Sequence, residues 1–155
     1  MQREQKRVLL FEEDFESMRD FKEHLEEEMG WSVELTAEKS LLERLSREQF
    51  DLIVVDLMIR PLSLDADGKE VQNAHFDGIS WLKTGLEFLR RLRKGEFSKE
   101  AGLGTSPDVP VIILSAVAAY SVKEELGEGI PFEGYVEKPF RLQEMVECVC
   151  RLLEE

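Results

Sequence analysis

The chain has 155 residues, 43% of them hydrophobic and 34% charged, enough apolar material for one domain with a core and too little for two. Its formal net charge of -13 leaves no basic face to attract a phosphate backbone, so direct nucleic-acid binding is not expected. No apolar run approaches the roughly 20 residues of a membrane helix, and the charged N-terminus leads straight into a short apolar segment without a secretory pattern. The expectation is a soluble, cytoplasmic protein with no membrane contact. Cys148 and Cys150 turn to different sides of a helix, which excludes a disulfide or a metal knuckle between them.

In chain order, RVLLF (7–11) reads as a strand, and FESMRDFKEHLEEEMG carries Phe15, Met18, Phe21, Leu25 and Met29 at helical spacing up to Gly30. WSVELT reads as a half-buried strand. AEKSLLERLSREQ (37–49) reads as a helix that turns Leu41, Leu42 and Leu45 inward. DLIVVD then forms a strand buried on both faces and ending in Asp56. After a long interruption, TGLEFLRRLRKG is helical through Leu86, Leu89 and Leu92, VPVIILSA is a second fully apolar strand, and FEGYVEKPF is a short last one. RLQEMVECVCRLLEE closes the chain as an amphipathic helix, and AAYSVKEELGEG is the weakest helical pattern. Five strands alternating with helices imply a single doubly wound α/β domain on a parallel sheet, with right-handed crossovers. Ligands of such sheets sit at the carboxyl ends of the strands.

Those ends carry Glu12, Glu13 and Asp14, then Asp56, then Ser115, with Lys138 after the last strand. Converging carboxylates repel one another unless a cation lies among them, and Mg²⁺ suits a few carboxylates with water and phosphate oxygens. A lysine and a hydroxyl alongside suggest a phosphoryl group, with Asp56 as the nucleophile that accepts it.

On VLLFEED, DLIVVDLMIRP, VPVIILSA and GYVEKPF, the chain resembles the receiver domains of two-component response regulators, the CheY-like superfamily. The resemblance implies a flavodoxin-like (βα)5 receiver over residues 5–155. Asp56 is then the phosphoacceptor, while Glu12, Glu13, Asp56 and the Met58 main-chain carbonyl hold Mg²⁺. Ser115 and the Ala116 amide grip the phosphoryl oxygens, and Lys138 pairs with them. Tyr135 is the aromatic that swings inward on phosphorylation, and the Lys138–Pro139 bond is cis. The implied partners are a sensor histidine kinase or phosphotransfer protein and a downstream protein target, with a homodimer as one option. A stand-alone receiver of this kind signals by changing a protein-binding face and is not a turnover enzyme.

The chain departs from the family pattern in two places. Both members of its acidic pair are glutamate when EED is aligned on Glu12 and Glu13, although a shift by one residue would bring in Asp14. Residues 62–83 form an insert between the third strand and third helix, readable as a mobile loop or as a lid in which Ile79 and Leu82 pack down and Trp81 faces a partner. These departures favour the alternative, a pseudo-receiver that is never phosphorylated and binds protein constitutively. A dehalogenase-type phosphohydrolase is disfavoured because Met58 stands where its general acid is required. Met58 and Val117 beside the phosphoryl group imply slow self-hydrolysis. SLDADGKE lacks the closing glutamate of a calcium loop, having Ala74 there. KGEFSKEAGLGTSPD (94–108) reads as plain loop, and His24 and His75 as solvent-facing.

Overall fold

The computed structural model describes residues 5–65, 67–98, 104–116 and 130–153. Strands β1 (Arg7–Phe11), β2 (Ser32–Leu35), β3 (Leu52–Asp56), β6 (Val111–Ser115) and β7 (Gly134–Glu137) form one parallel sheet in the order β2-β1-β3-β6-β7. A separate antiparallel hairpin, β4 (Leu62–Leu64) with β5 (Glu70–Gln72), leaves the sheet after β3. Helices α1 (Phe15–Glu28), α2 (Leu41–Arg44), α3 (Thr84–Arg93) and α4 (Leu142–Leu153) complete the described elements, with a 3-10 turn at Trp81–Lys83. The weak helical pattern at 118–129 lies outside the described residues.

Every residue of β3 and β6 is buried, as expected of central parallel strands covered on both faces. Alternation sorts their side chains into two cores. Leu9, Phe11, Ile53, Val55, Val111 and Ile113 pack with α2 and α3, where Phe11 stacks on Phe88 at 4.4 Å between ring centroids. Val8, Leu10, Leu52, Val54, Ile112 and Leu114 face the other way, onto Met18, Phe21 and Leu25 of α1 and Met145 and Val149 of α4. The strand order reverses at β1, whose neighbours are β2 and β3, so the crevice of the sheet opens over the ends of β1 and β3.

The helix expected over 37–49 is one turn long. The Lys39 amide donates to Gln72 O at 3.0 Å, the Ala74 amide donates to Ala37 O at 2.8 Å, and Glu38 bridges Asn73. Residues 37–39 are thus drawn into an extended ladder with the strand end of β5 and cannot open a helix. At the other end the Leu45 carbonyl accepts the Thr105 amide at 2.9 Å, a tertiary bond in place of a further turn.

The segment between β3 and α3 is ordered by its own contacts. Asp65 Oδ1 accepts the amides of Asp67 and Lys69, both at 2.9 Å, which closes the turn between β4 and β5. Ala74 and Phe76 are buried in the core, with the Arg91 guanidinium 4.3 Å from the Phe76 ring centre. Ile79 packs against that core, but Leu82 does not: it is 49% exposed, beside Trp81 at 42%. A 3-10 turn presents side chains at threefold spacing, and here the turn directs both residues outward.

Residues 94–108 are more than plain loop where described. Phe97 is buried with its ring centroid 5.5 Å from that of Phe88, and Thr105 Oγ1 donates to Glu48 O at 2.7 Å. Gly104, at φ +83°, lies so near that a Cβ would stand 2.4 Å from Phe97 O; only glycine allows this approach.

Candidate functional site

Sheet register brings the expected residues together. Phe11 pairs with Val55 and Asp56 with Leu114, so Glu12, Asp56 and Ser115 emerge side by side at the carboxyl edge. Lys138 follows β7, and its amide donates to Ser115 O at 2.8 Å. The Lys138–Pro139 bond is cis, as expected. Lys138 Nζ then reaches Asp56 Oδ2 at 2.5 Å and Glu12 Oε2 at 2.6 Å. The other Asp56 oxygen accepts the Met58 amide at 2.9 Å. Asp56 is 4% exposed and Glu12 2%, so both acids depend on these bonds in place of water.

The electrostatics follow from that burial. Glu12 is pushed up to about 8 by desolvation, with the hydrogen bond and charge of Asp56 adding to the rise and Lys138 opposing it. Burial alone would lower Lys138, but the charges of Glu12 and Asp56 and their hydrogen bonds outweigh it and hold the ammonium above its ordinary value.

Of the acids that follow β1, Glu12 shares Lys138 with Asp56. Glu12 Oε1 accepts the Glu13 and Asp14 amides at 2.9 and 3.1 Å. Asp14 is exposed and instead caps α1, accepting the Ser17 amide at 3.3 Å. Glu13 is turned away from Asp56. Its Oε2 accepts the Arg60 amide at 2.9 Å and the Asn73 side-chain amide at 3.2 Å, and its Oε1 meets the Arg60 guanidinium. The expected cation donors Glu12, Glu13 and Asp56 are thus not gathered round one point, and among the described residues no three acidic, histidine or cysteine side chains form a group that could hold a metal. With Lys138 between two of the carboxylates and Arg60 on the third, the donor set as arranged does not fit a divalent cation.

Ser115 is fully buried and shares a hydrogen bond with Tyr135. The Tyr135 ring is half-buried against the core, 6.5 Å from the Phe132 centroid. Burial raises the phenol above its ordinary value, and the Ser115 bond opposes this. Ala116 is exposed and lines, with Asp14, Ser17, Lys138 and Pro139, a cleft of about 480 Å³ that opens beside Lys138. Val117 lies outside the described residues. Sequence reasoning missed Arg60 and Asn73, which lie 47 and 60 residues from Glu13; no local pattern announces a contact across such a distance.

No protein-family model and no curated protein matches the chain. Solved structures do. The receiver domain of the Francisella response regulator 1452 is 23% identical, with 96% of this chain and 97% of that one covered at a TM-score of 0.64. The non-phosphorylated HemR receiver domain of Leptospira biflexa is 25% identical over 97% and 96%, at 0.60. The receiver domain of the sensor histidine kinase PA1611 of Pseudomonas aeruginosa, with a magnesium ion coordinated in its active site cleft, is 20% identical over 98% and 100%, at 0.59. The class defined by the sheet order and these likenesses is the flavodoxin-like α/β fold. Within it, the chain has the fold of the response-regulator receiver domains.

Proposed function

We propose that the chain is a receiver that accepts a phosphoryl group on Asp56 from a sensor histidine kinase or phosphotransfer protein and thereby changes a protein-binding face. The observation that carries this reading is the Lys138 ammonium on Asp56 Oδ2 at 2.5 Å, next to the fully buried Ser115. In the step proposed, an Asp56 oxygen attacks phosphorus, the bond from phosphorus to the donor's imidazole nitrogen breaks, and that nitrogen keeps the electron pair. The transferred oxygens then take over Lys138, while the Ser115 hydroxyl and the Ala116 amide are the donors next to them. Engaging Ser115 would cost Tyr135 its hydroxyl partner and so couple phosphorylation to the position of the ring. The magnesium in the PA1611 receiver supports a divalent cation as cofactor. The donors described above are not arranged for one, so no step here passes through it. Protein rather than nucleic acid as target agrees with the net charge of -13.

The pseudo-receiver remains the second reading, favoured by the engagement of Glu13 with Arg60 and Asn73. Intact mass after incubation with acetyl phosphate, with and without Mg²⁺, separates the two. A gain of one phosphoryl group that is absent in Asp56→Asn supports phosphoacceptance; no gain under conditions that modify another receiver supports the pseudo-receiver.

A further inference from the structure

The hairpin of β4 and β5 covers one of its edges and leaves the other open. On the β5 side an extended stretch of the chain lies alongside, the Lys39 amide donating to Gln72 O at 3.0 Å and the Ala74 amide to Ala37 O at 2.8 Å. On the β4 side no strand follows. The bonds that frame the hairpin run from the Asn73 amide to Pro61 O at 2.8 Å and from the Asp65 amide to Lys69 O at 2.9 Å. Antiparallel pairs alternate between bonded and unbonded partners, so Pro61, Ser63 and Asp65 turn their backbone groups toward β5 while Leu62 and Leu64 turn theirs away. No described residue bonds the outward amides and carbonyls of these two leucines. Their side chains share one face of the strand and are 51% and 63% exposed, whereas open edges are ordinarily blunted with lysine, proline or a covering loop. A cleft of about 680 Å³ lies between β4 and the start of α1, and Phe15 lines it with both leucines. The rest of its lining is mostly acidic, through Asp14, Glu16, Asp65 and Glu70, and its cation, Arg60, is already held by Glu13. The edge is fixed from behind by Asn73, 2% exposed, whose side-chain amide donates to Arg60 O at 2.8 Å, Ser63 Oγ at 2.9 Å and Glu13 at 3.2 Å.

We propose that the open edge of β4 is a docking site for an extended, basic segment of another protein, which adds to the hairpin as a strand. In that complex the segment's backbone bonds Leu62 and Leu64, its apolar side chains cover the two leucines and Phe15, and its lysines or arginines meet Glu16 and Glu70. The carboxylates decide the occupant. A second copy of this chain would bring the same acids against one another. A nucleic acid or an anionic membrane would meet repulsion from those acids and from the net charge of -13. The site lies on the insert and does not depend on phosphorylation of Asp56, so a receiver and a pseudo-receiver would both carry it.

The test is calorimetry on the full chain with three short synthetic peptides: one of alternating lysine and valine, its glutamate and valine counterpart, and the lysine and valine peptide N-methylated on every amide. Hydrogen exchange of the Leu62 and Leu64 amides is followed in parallel. The first peptide should bind and should slow exchange at both leucines by about tenfold or more. The acidic peptide should not bind, and N-methylation, which removes the backbone donors, should weaken binding by about tenfold or more. Glu16→Gln with Glu70→Gln should weaken the first peptide. Glu27→Gln with Glu28→Gln, an equal change of charge at the exposed end of α1, should leave it unchanged. Leu64→Pro removes an outward amide that β5 does not use, so it should lower affinity at an unchanged urea midpoint. If that variant is destabilised, the N-methylated peptide makes the same test on the unmodified chain. Exchange at the two leucines indifferent to bound peptide, equal binding of the N-methylated peptide, or equal losses from the two pairs of charge variants would each overturn the proposal, as would the absence of binding at millimolar peptide. A free chain that is dimeric by ultracentrifugation and becomes monomeric with Leu64→Pro would also overturn it, by assigning the edge to a second copy.

Discussion

Gly85 sits against the backbone of Asp56 so closely that a Cβ there would stand 2.2 Å from Asp56 O and 2.6 Å from Leu57 Cα. The Gly85 amide donates to Leu57 O at 2.9 Å, so the first turn of α3 is bonded directly to the end of β3. Gly85→Ala must push that turn off the strand, because the atoms in the way are backbone. Overpacking of this kind costs about 1–3 kcal/mol or more. The expected outcome is a lower urea midpoint, together with slower phosphorylation of Asp56 by acetyl phosphate under conditions where the variant is still fully folded. Unchanged stability would show that α3 is free to shift.

Stability should peak near the ordinary glutamate pKa and fall on both sides of it. Glu12 rises from 4.5 to about 8 through burial and then Asp56. The native state thus holds more protons than the unfolded chain between those values, and stability drains away as pH rises through that window. Glu48 has the opposite sign. The Arg44 hydrogen bond, then that of Arg7, takes it from 4.5 to about 2, so its contribution is complete above 4.5 and is lost as pH falls toward 2. Urea midpoints measured without divalent metal at about pH 3, 5 and 8.5 should therefore be highest at the middle value. Glu12→Gln should flatten the alkaline fall and Glu48→Gln should reduce the acid fall without abolishing it, because Glu87 is also held below its ordinary value, its burial being outweighed by the Arg91 and Arg90 hydrogen bonds; a midpoint that climbs steadily with pH would contradict the assignment of Glu12.

The alternating pattern of the chain was enough to read the parallel sheet, its two buried central strands and the meeting of Asp56, Ser115 and Lys138, because each is fixed by local period and by the edge on which parallel strands end. The contacts of the hairpin were not legible. Glu38 with Asn73 and Glu13 with Arg60 are pairings between distant segments, and they override the helical period of 37–49 and the orientation of the second acid. Phe97 and Thr105 were hidden for the same reason: a loop composition says nothing about a ring stacked on Phe88 or a hydroxyl bound to Glu48 O. Leu82 was misplaced because a helical period was assumed where the chain makes a 3-10 turn.

Thr84 carries a buried hydroxyl with no hydrogen-bond partner among the described residues, on a side chain that is part of a residue only 1% exposed. An unsatisfied buried hydroxyl costs about 1–3 kcal/mol, whereas an apolar group of the same shape carries no such penalty. Thr84→Val should therefore leave the fold intact and raise stability by about 1 kcal/mol, read as a higher urea midpoint at unchanged slope. A loss of stability would mean that the hydroxyl has a partner, such as an ordered water, that the valine displaces.

Arg93 ties the end of α3 to the approaches of two strands. Its guanidinium donates to Pro107 O at 2.8 Å, Val109 O at 2.7 Å and Pro131 O at 2.9 Å, and it pairs with Glu133 at 3.0 Å, on a side chain only 9% exposed. Three carbonyls just ahead of β6 and β7 thus depend on one planar donor. Arg93→Ala should cost about 3 kcal/mol, from the orphaned carbonyls and the unpaired Glu133 together. Arg93→Lys keeps the charge but not the fork, since an ammonium is a compact donor that cannot reach the separate acceptors of Nε, Nη1 and Nη2 at the edges of the guanidinium. It should recover less than half of the loss in urea denaturation. A lysine variant as stable as the parent would show that charge rather than geometry holds this corner; an alanine variant within about 0.5 kcal/mol of the parent, the range of ordinary surface changes, would show that the corner is held without Arg93.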